Sequence, residues 1–373
     1  MLLLEKSKIK KINRVIKISL RSYAIRRFLY IIPTLIGISI LSFTLIALSP
    51  GDPIMIRMGL FKGEQSEYID MYNEIGQEIG ILDEDNNTVN IVVRYLRWLG
   101  FAKRPIEYEF NEDGSPVYRY SGVLQGDLGR SWHWTQDGRI GKKITDIIVS
   151  RMWYTLFLTT PAFVISTILA TIIGVVQATR QYSIWDKSVT VASLIGYSMP
   201  AFWLAKLIML ASFFMFNFTG ATQGDAFREP FIINPKFYVF LILPTITLIL
   251  TALVFLSRLT RSQLLDILRQ DYIVTARAKG LAERSVIYKH AFRNALLPIV
   301  TVVGLALPGL LGGAVMTEGV FGWPGLGRVF LTSALQRDQP MMMATNFIFG
   351  GMFLIFRWLV DLSYALVDPR VRY

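Results

Sequence analysis

The sequence predicts an all-α integral membrane fold of about six transmembrane helices, with a small α+β extracytoplasmic lobe between helices 1 and 2. Three observations predict it. Only 18% of the 373 residues are charged and 53% are hydrophobic, with a mean hydropathy of +0.43, whereas a soluble domain carries about a quarter charged residues. The apolar residues fall in blocks long enough, as helix, to cross a hydrocarbon core of roughly 30 Å. The basic residues, which give a net charge of +12, gather at the ends of those blocks.

The first block, Phe28–Leu48, holds 21 residues. That exceeds the core of a signal peptide, so it reads as an uncleaved signal anchor. The further spans are expected at Thr155–Gln177, Val191–Phe216, Phe237–Ser257, Ala295–Val315 and Met342–Val360. Residues 1–27 carry nine Lys/Arg against one acid, Glu5. Placing this end in the cytoplasm puts 21 Lys/Arg in the four inside segments and two in each short outside loop, as the positive-inside rule requires. The basic excess is therefore topological, and a nucleic-acid partner is not expected; membrane lipid is. The expected organisation is a basic cytoplasmic extension (1–27), the first transmembrane helix (28–48) and an extracytoplasmic lobe (49–154). A transmembrane core (155–360) with an inside loop at 258–294 follows, then a cytoplasmic tail (361–373).

The lobe has its own local signals. Val92, Tyr95, Leu96 and Leu99 recur at helical spacing. Glu107-Tyr-Glu-Phe110 and Val117-Tyr-Arg-Tyr120 alternate around Asn111-Glu-Asp-Gly-Ser-Pro116, a hairpin signature. Gly126-Asp-Leu-Gly129 then reads as a glycine-rich approach to the second span. The sequons at Asn86 and Asn217 are short enough to arise by chance.

Chemistry of several kinds is excluded. There is no cysteine, so disulfides and thiolate catalysis are absent. The two histidines, His133 and His290, stand far apart with no ligand spacing around either, so no metal site is expected. His133 has Asp127 and Asp137 nearby but no nucleophile. A phosphate-cradling loop needs G-x-x-x-x-G-K-[ST]; around Gly141-Lys142 the first glycine is replaced by Gln136 and Lys143 follows, so ATP is not expected on this chain.

The inside loop 258–294 is the most informative stretch. Leu264, Leu268, Tyr272 and Ala276 recur every four residues on one helix face. Tyr272-Ile-Val-Thr-Ala-Arg-Ala-Lys-Gly280 continues that helix and stops it at a glycine suited to a left-handed C-cap. A second helical segment through Val286, Ile287, His290 and Ala291 reaches Leu297-Pro298 at the membrane. Periodicity leaves two readings open. One is a basic loop helix that holds the orientation; the other is a knob, flanked by Arg277 and Lys279, that seats in a partner's groove.

Ala276-Arg-Ala-Lys-Gly280-Leu281 with His290-Ala-Phe-Arg-Asn-Ala-Leu-Leu-Pro298 resembles the cytoplasmic signature of the dipeptide/oligopeptide/nickel class of ABC-importer permeases. Further blocks of resemblance are Pro50-Gly-Asp-Pro53, Gly126-Asp-Leu-Gly129-Arg-Ser131, Gly196-Tyr-Ser-Met-Pro-Ala-Phe-Trp203, Glu318-Gly-Val-Phe-Gly-Trp-Pro-Gly-Leu-Gly327 and Val367-Asp-Pro-Arg-Val-Arg-Tyr373. The wider superfamily's loop pattern begins Glu-Ala-Ala, where this chain has Ala-Arg-Ala. The extension before Arg26 and the hairpin at 107–120 look like additions to the family core.

The resemblance implies a translocation subunit paired with a similar second permease, two cytoplasmic ABC ATPases and an extracytoplasmic substrate-binding protein. It implies a coupling helix at roughly 271–285, with Tyr272, Thr275, Ala276, Arg277, Ala278, Lys279, Gly280 and Leu281 as the ATPase-facing residues. Any ATP and Mg would sit on the partners. Peptides are the implied cargo, with nickel and oligosaccharide as alternatives. An ATP-independent channel or carrier is the competing class, but such carriers tend to place Asp, Glu or His within their spans, and none lies clearly mid-span here.

Within the spans, Ser198 and Pro200 mark a kink that either shapes a pathway or serves packing. Lys206 either faces a wet interior or snorkels to the boundary. Asn346 either bonds a neighbouring helix or lines the path. Arg357 and Asp361, four apart, are expected to pair as a structural ion pair.

Overall fold

In hydrocarbon every backbone N–H and C=O must find its partner within the chain, so apolar blocks of this length become helices. The computed structural model describes residues 22–58, 65–110, 112, 116–136, 140–221, 234–310 and 314–367. The basic extension before residue 22, the hairpin-turn residues Asn111 and Asp113–Ser115, and the C-terminal block from residue 368 lie outside them. Among the described residues, four helices are long and apolar enough to cross a membrane: Ser22–Ala47, Ile144–Thr179, Pro235–Leu268 and Gln339–Leu362. A fifth candidate is a bent pair, Ile184–Ser198 with Ala201–Phe216.

In chain order the helices are α1 (Ile31–Ala47), α2 (Pro53–Met58), α3 (Gln65–Glu78) and α4 (Ile91–Leu99). Strands β1 (Arg104–Phe110), β2 (Pro116–Arg119), β3 (Arg130–Gln136) and β4 (Ile140–Lys143) follow. Then come α5 (Ile144–Thr179), α6 (Ile184–Ser198), α7 (Ala201–Phe216), α8 (Pro235–Leu268), α9 (Asp271–Ala278), α10 (Arg293–Ala306), α11 (Val315–Phe321), α12 (Leu326–Gln336) and α13 (Gln339–Val367). The chain divides into two units. One combines Met1–Arg151 with Val329–Leu354, and the other combines Met152–Arg328 with Ile355–Tyr373.

Three expectations about the spans are corrected. The third span, expected as one kinked helix from Val191 to Phe216, is two helices bent by 110°. The cause is local: Pro200 pushes Met199 out of helical backbone to φ −86°, ψ 127°, as the residue before a proline usually is. The fifth span, expected to run to Val315, ends as α-helix at Ala306 and passes into a 3-10 turn at Leu307–Leu310, where Pro308 and Gly309 weaken the helix. The second span's helix begins at Ile144 rather than Thr155, so its first turns belong to the stretch expected as lobe.

In the first unit the expected helix and hairpin are present. Asn90 caps α4 by accepting from Val92 N–H at 2.8 Å, and Gly100 closes it at φ +96°. β1 and β2 pair antiparallel from Arg104↔Arg119 to Phe110↔Pro116. A second antiparallel hairpin, β3 with β4, forms where a glycine-rich linker was expected. The helix α4 lies against the end of α1: Ser39 Oγ and Tyr95 OH are 2.8 Å apart, and the Phe43 and Tyr95 rings meet edge-on at 5.3 Å. Asp52 caps α2 through Ile54 N–H and also accepts from Tyr72 OH at 2.7 Å. That bond pushes the Tyr72 hydroxyl up to about 12. Asn86 and Asn217 both stand at positive φ, 60° and 53°, a conformation asparagine tolerates better than most residues; this is reason enough for asparagine at both sequons.

In the second unit the Glu318–Gly327 stretch folds around one carboxylate. Glu318 is fully buried. Its Oε1 accepts from Thr155 Oγ at 2.9 Å and its Oε2 from Arg328 N–H at 2.9 Å, and Gly327 N–H donates to it as well. Burial pushes this carboxyl above its ordinary range, and the three donors oppose the shift without reversing it. The Trp323 indole donates to Tyr154 O at 2.9 Å, and Leu326 N–H donates to Thr155 Oγ at 2.8 Å. A β-carbon on Gly325 would stand 2.5 Å from both Glu318 Cδ and Thr155 Oγ, so glycine is required there.

Glu318→Ala should destabilise the protein by about 2–3 kcal/mol, because several buried donors lose one acceptor together. Glu318→Gln should cost roughly 1 kcal/mol, since its amide still accepts from Arg328 N–H and donates to Thr155. Thermal unfolding of the detergent-solubilised protein checks the ranking; equal effects would mean that the carboxylate does not organise the turn.

Candidate functional site

The helix α8 does not run into the glycine, as the four-residue periodicity suggested. It ends at Leu268, and Gln270 in extended conformation begins the separate helix α9. The four periodic residues are consequently divided between two helices. Leu264 and Ala276 are buried together in one cluster, while Tyr272 is exposed. The end of α9 matches the expectation. Gly280 sits at φ +77°, its N–H reaches Arg277 O at 2.9 Å, and Leu281 N–H reaches Ala276 O at 3.4 Å. This is the paired closure of a Schellman motif.

After the turn, Glu283–Ser285 leads into a π-helical segment, Val286–Phe292, that continues as α10. Bonds from i to i+5 bring residues five apart onto one face, and Val286 and Ala291 are both fully buried. They join Val175 and Ala178 of α5, Leu264 of α8, Ile273 and Ala276 of α9, and Ala295 and Ile299 of α10 in a single apolar cluster. Burying Ile273 alone is worth about 2 kcal/mol. The hairpin from Asp271 to Phe292 therefore has a packed seat.

Its outer side is open. Tyr272, Val274, Thr275, Arg277, Ala278, Lys279, Gly280 and Leu281 are all exposed, and of the residues expected to face a partner only Ala276 is buried. Two polar links hold the exposed part. Asn294 Nδ2 donates to Tyr272 OH at 2.9 Å. Arg277 donates to both Glu283 oxygens, at 3.2 and 2.8 Å, across the glycine turn. The hydrogen-bonded guanidinium lowers the Glu283 carboxyl, and the carboxylate raises Arg277. The pair thus supports the turn above the ordinary carboxylate range and loses that support as pH falls through the lowered value; both groups are too exposed for the effect to be large.

A residue that sequence reasoning missed secures the seat. Asp186, 2% exposed, receives Arg261 of α8 through Nε and Nη2 at 2.7 and 2.8 Å. It also accepts from Tyr182 N–H at 3.0 Å and from Gln177 Nε2 of α5 at 3.3 Å. The ends of α5, α6 and α8 meet at this carboxylate. The available signal was Ser183-Ile-Trp-Asp186, a capping-box pattern; Ser183 Oγ does accept from Asp186 N–H at 3.2 Å.

The remaining candidates are scattered. Ser198 is exposed and donates to Leu194 O at 3.0 Å. Pro200 caps α7, and Lys206 is exposed beside buried Ala205. Asn346 is half-buried on α13 in the first unit, whereas Ser198, Pro200 and Lys206 belong to the second. Arg357 and Asp361 stand one turn apart on α13.

Residues 170–373 match the family described as binding-protein-dependent transport system inner membrane component. The chain belongs to that family. This permease is 37% identical over 365 residues to the oligopeptide transport system permease protein AppB of Bacillus subtilis (strain 168), covering 94% of this chain and 99% of that one. It is 33% identical over 371 residues to the dipeptide transport system permease protein DppB of Escherichia coli (strain K12), covering 94% and 98%. Among solved structures, a chain of the inward-facing methionine transporter MetNI matches with 19% identity and a TM-score of 0.46, over 61% of this chain and 97% of that one. By the family match and the identity to AppB and DppB, the permease is a mainly helical, multi-pass membrane subunit of an ABC-type transport system, and its hairpin lies inside the family match.

Breaking the brace has a defined expected effect. Asp186→Asn should cost about 1.5–3 kcal/mol, because a half-buried arginine loses two charge-assisted hydrogen bonds and its counter-charge. Hydrogen exchange should rise at the ends of α5 and α8 and across 271–292 before it rises at Glu318. Uniform exchange changes would show that the brace does not act on the hairpin seat.

Proposed function

We propose that this permease forms one half of the translocation pathway of an ATP-driven peptide importer and that its hairpin at 271–285 is the element two cytoplasmic ATPases act through. The observation that carries the reading is the hairpin itself, which is exposed at Tyr272, Val274, Lys279 and Leu281 and packed on its inner side against α5, α8 and α10. An exposed surface on such a seat can receive a push and pass it on as a rigid unit. The identity to AppB and DppB supports peptides as cargo.

The other subunits of the assembly are a second, similar permease and an extracytoplasmic binding protein that delivers substrate. ATP and Mg bind the ATPases, so hydrolysis belongs to them. With the basic N-terminal segment in the cytoplasm, both termini and the hairpin lie on that side. ATPase closure draws paired hairpins together and rocks the helices between inward- and outward-open states. Ser198, Pro200, Lys206 and Asn346 are the candidates for the path, and Arg357 with Asp361 forms a structural pair near the inner boundary.

Gentle purification of the native complex, with mass-spectrometric identification of what accompanies the chain, tests the assembly. Walker A-containing ATPases and a second permease should be recovered, and labelled tripeptide uptake should require them. A chain that purifies alone and moves solute without ATP would overturn the proposal.

The hairpin charges separate docking from folding. Lys279→Glu should leave assembly measurable but reduce transport-linked ATPase activity by about tenfold, equivalent to roughly 1.4 kcal/mol. Arg277→Glu should loosen the turn, and adding Glu283→Arg should restore it. If Lys279→Glu leaves ATPase coupling untouched, the docking assignment is wrong.

A further inference from the structure

The first unit contains a cavity of about 110 Å³ that the transport reading does not use. One face of α4 supplies Arg94, Arg97 and Trp98, spaced to share that face, and Arg104 and Trp132 line it from the two hairpins. Four buried N–H donors around it have no acceptor from the described protein: Arg97 Nε, Arg104 Nε, Trp98 Nε1 and Trp132 Nε1. Buried donors are nearly always paired, so four together at one cavity require an explanation.

The charges are unequal. Glu78 is the acidic residue in the lining, and it stands 3.5 Å from Arg57 outside it. Arg104 is paired with Asp127. Among the described residues, Arg97 has a 3.4 Å contact to Gly80 O and the face of the Tyr118 ring. Arg94 makes no side-chain hydrogen bond or ion pair among the described residues, and burial alone lowers its affinity for its proton. Water could satisfy the indoles but would not offset this charge. An oxyanion offers acceptors in several directions together with the missing negative charge.

Its position narrows the chemistry. Phe43, which also lines the cavity, lies four residues before the end of the span Ser22–Ala47, and Gln339 and Met343 belong to the first turn or so of α13. The cavity is therefore at the ends of two apolar spans. Headgroup phosphates lie at that depth, and tryptophan is enriched there. The volume exceeds what one water needs several-fold.

We propose that this cavity is a phosphate site, in which Arg94, Arg97 and the indole N–H groups of Trp98 and Trp132 bind a phosphate oxyanion. The lipid phosphodiester and free inorganic phosphate share that chemistry. The test uses the full-length permease, purified with its native partners in mild detergent and depleted of lipid. One arm titrates inorganic phosphate against perchlorate at constant ionic strength, followed by thermal shift. The other adds dioleoyl phosphatidylglycerol or uncharged dioleoylglycerol and counts retained lipid by native mass spectrometry.

Phosphatidylglycerol should be retained and dioleoylglycerol should not. Arg94→Gln should weaken binding by about tenfold, and Arg119→Gln on the exposed hairpin should leave it unchanged. Trp98→Phe keeps an aromatic side chain but removes the indole N–H, so it should weaken binding several-fold. That variant still decides the matter if Arg94→Gln fails to fold. Binding of inorganic phosphate alone would assign the site to a soluble ion and sustain the proposal. Equal binding by wild type and variants would overturn it. So would protection of Arg94 only by an acidic protein partner, with no phosphate or phospholipid bound.

Discussion

The arrangement of the second unit depends on the buried carboxylate of Asp186. It fixes Arg261 by two hydrogen bonds and holds Tyr182 and Gln177 through others. Arg261 lies three residues before Leu264, which is fully buried in the cluster that seats the hairpin. Fixing the guanidinium thus fixes the rotation of the last turns of α8, and with it which face α8 offers to Ile273 and Ala276. A pair with one buried member adds little net stability over an apolar replacement, but removing its half-exposed cation would leave a buried carboxylate uncompensated. Its contribution is to specify one arrangement of three helix ends.

The seat then explains how an eight-residue helix is held firmly enough for the mechanical part proposed for it. Isolated helices of that length are marginal in water. Here α9 is held by two buried side chains on its inner face, a Schellman closure at Gly280, an ion pair across the turn and the Asn294–Tyr272 bond. The cluster beneath it draws on α5, α8 and α10. Close-packed interiors transmit displacement rather than absorb it. A push on the exposed side would consequently reach α5, α8 and α10 at once.

What was legible in the sequence was local. Gly280 announced its turn because a left-handed residue at a helix end leaves a one-residue signature. The hairpin at β1 and β2 was readable from alternation around a turn, and α4 from its spacing. The break between α8 and α9 was hidden because the apolar period continues across Arg269 and Gln270, so periodicity alone joined two helices. Asp186 was hidden for a different reason, since its partner lies 75 residues away. Arg261 read only as one more inside charge. The β3–β4 hairpin escaped because Gly126–Gly129 suggested a linker, and the cavity residues escaped because they come from six separate elements.

Pro200 was legible as a breaker, but the size of the break was not, and the size changes its meaning. A gentle kink leaves most of the backbone ladder intact, whereas a bend of 110° ends one helix and starts another. Neither α6, with 15 residues, nor α7, with 16, is long enough alone to cross a core of about 30 Å. Irregular backbone at that depth is tolerated only where protein buries it or water reaches it. Ser198 Oγ donates back to Leu194 O within α6, and Met199 N–H makes a long 3.4 Å bond to Gly196 O. Pro200 has no N–H, and its carbonyl opens α7 by accepting from Trp203 and Leu204 N–H at 2.9 and 3.1 Å, so the groups left over are the last carbonyls of α6, which need protein or water beside them. Both conditions would be met at the centre of the proposed paired permease, and neither on a lipid-facing surface. The break itself is thus the strongest physical argument for placing Ser198 and Pro200 toward the proposed pathway.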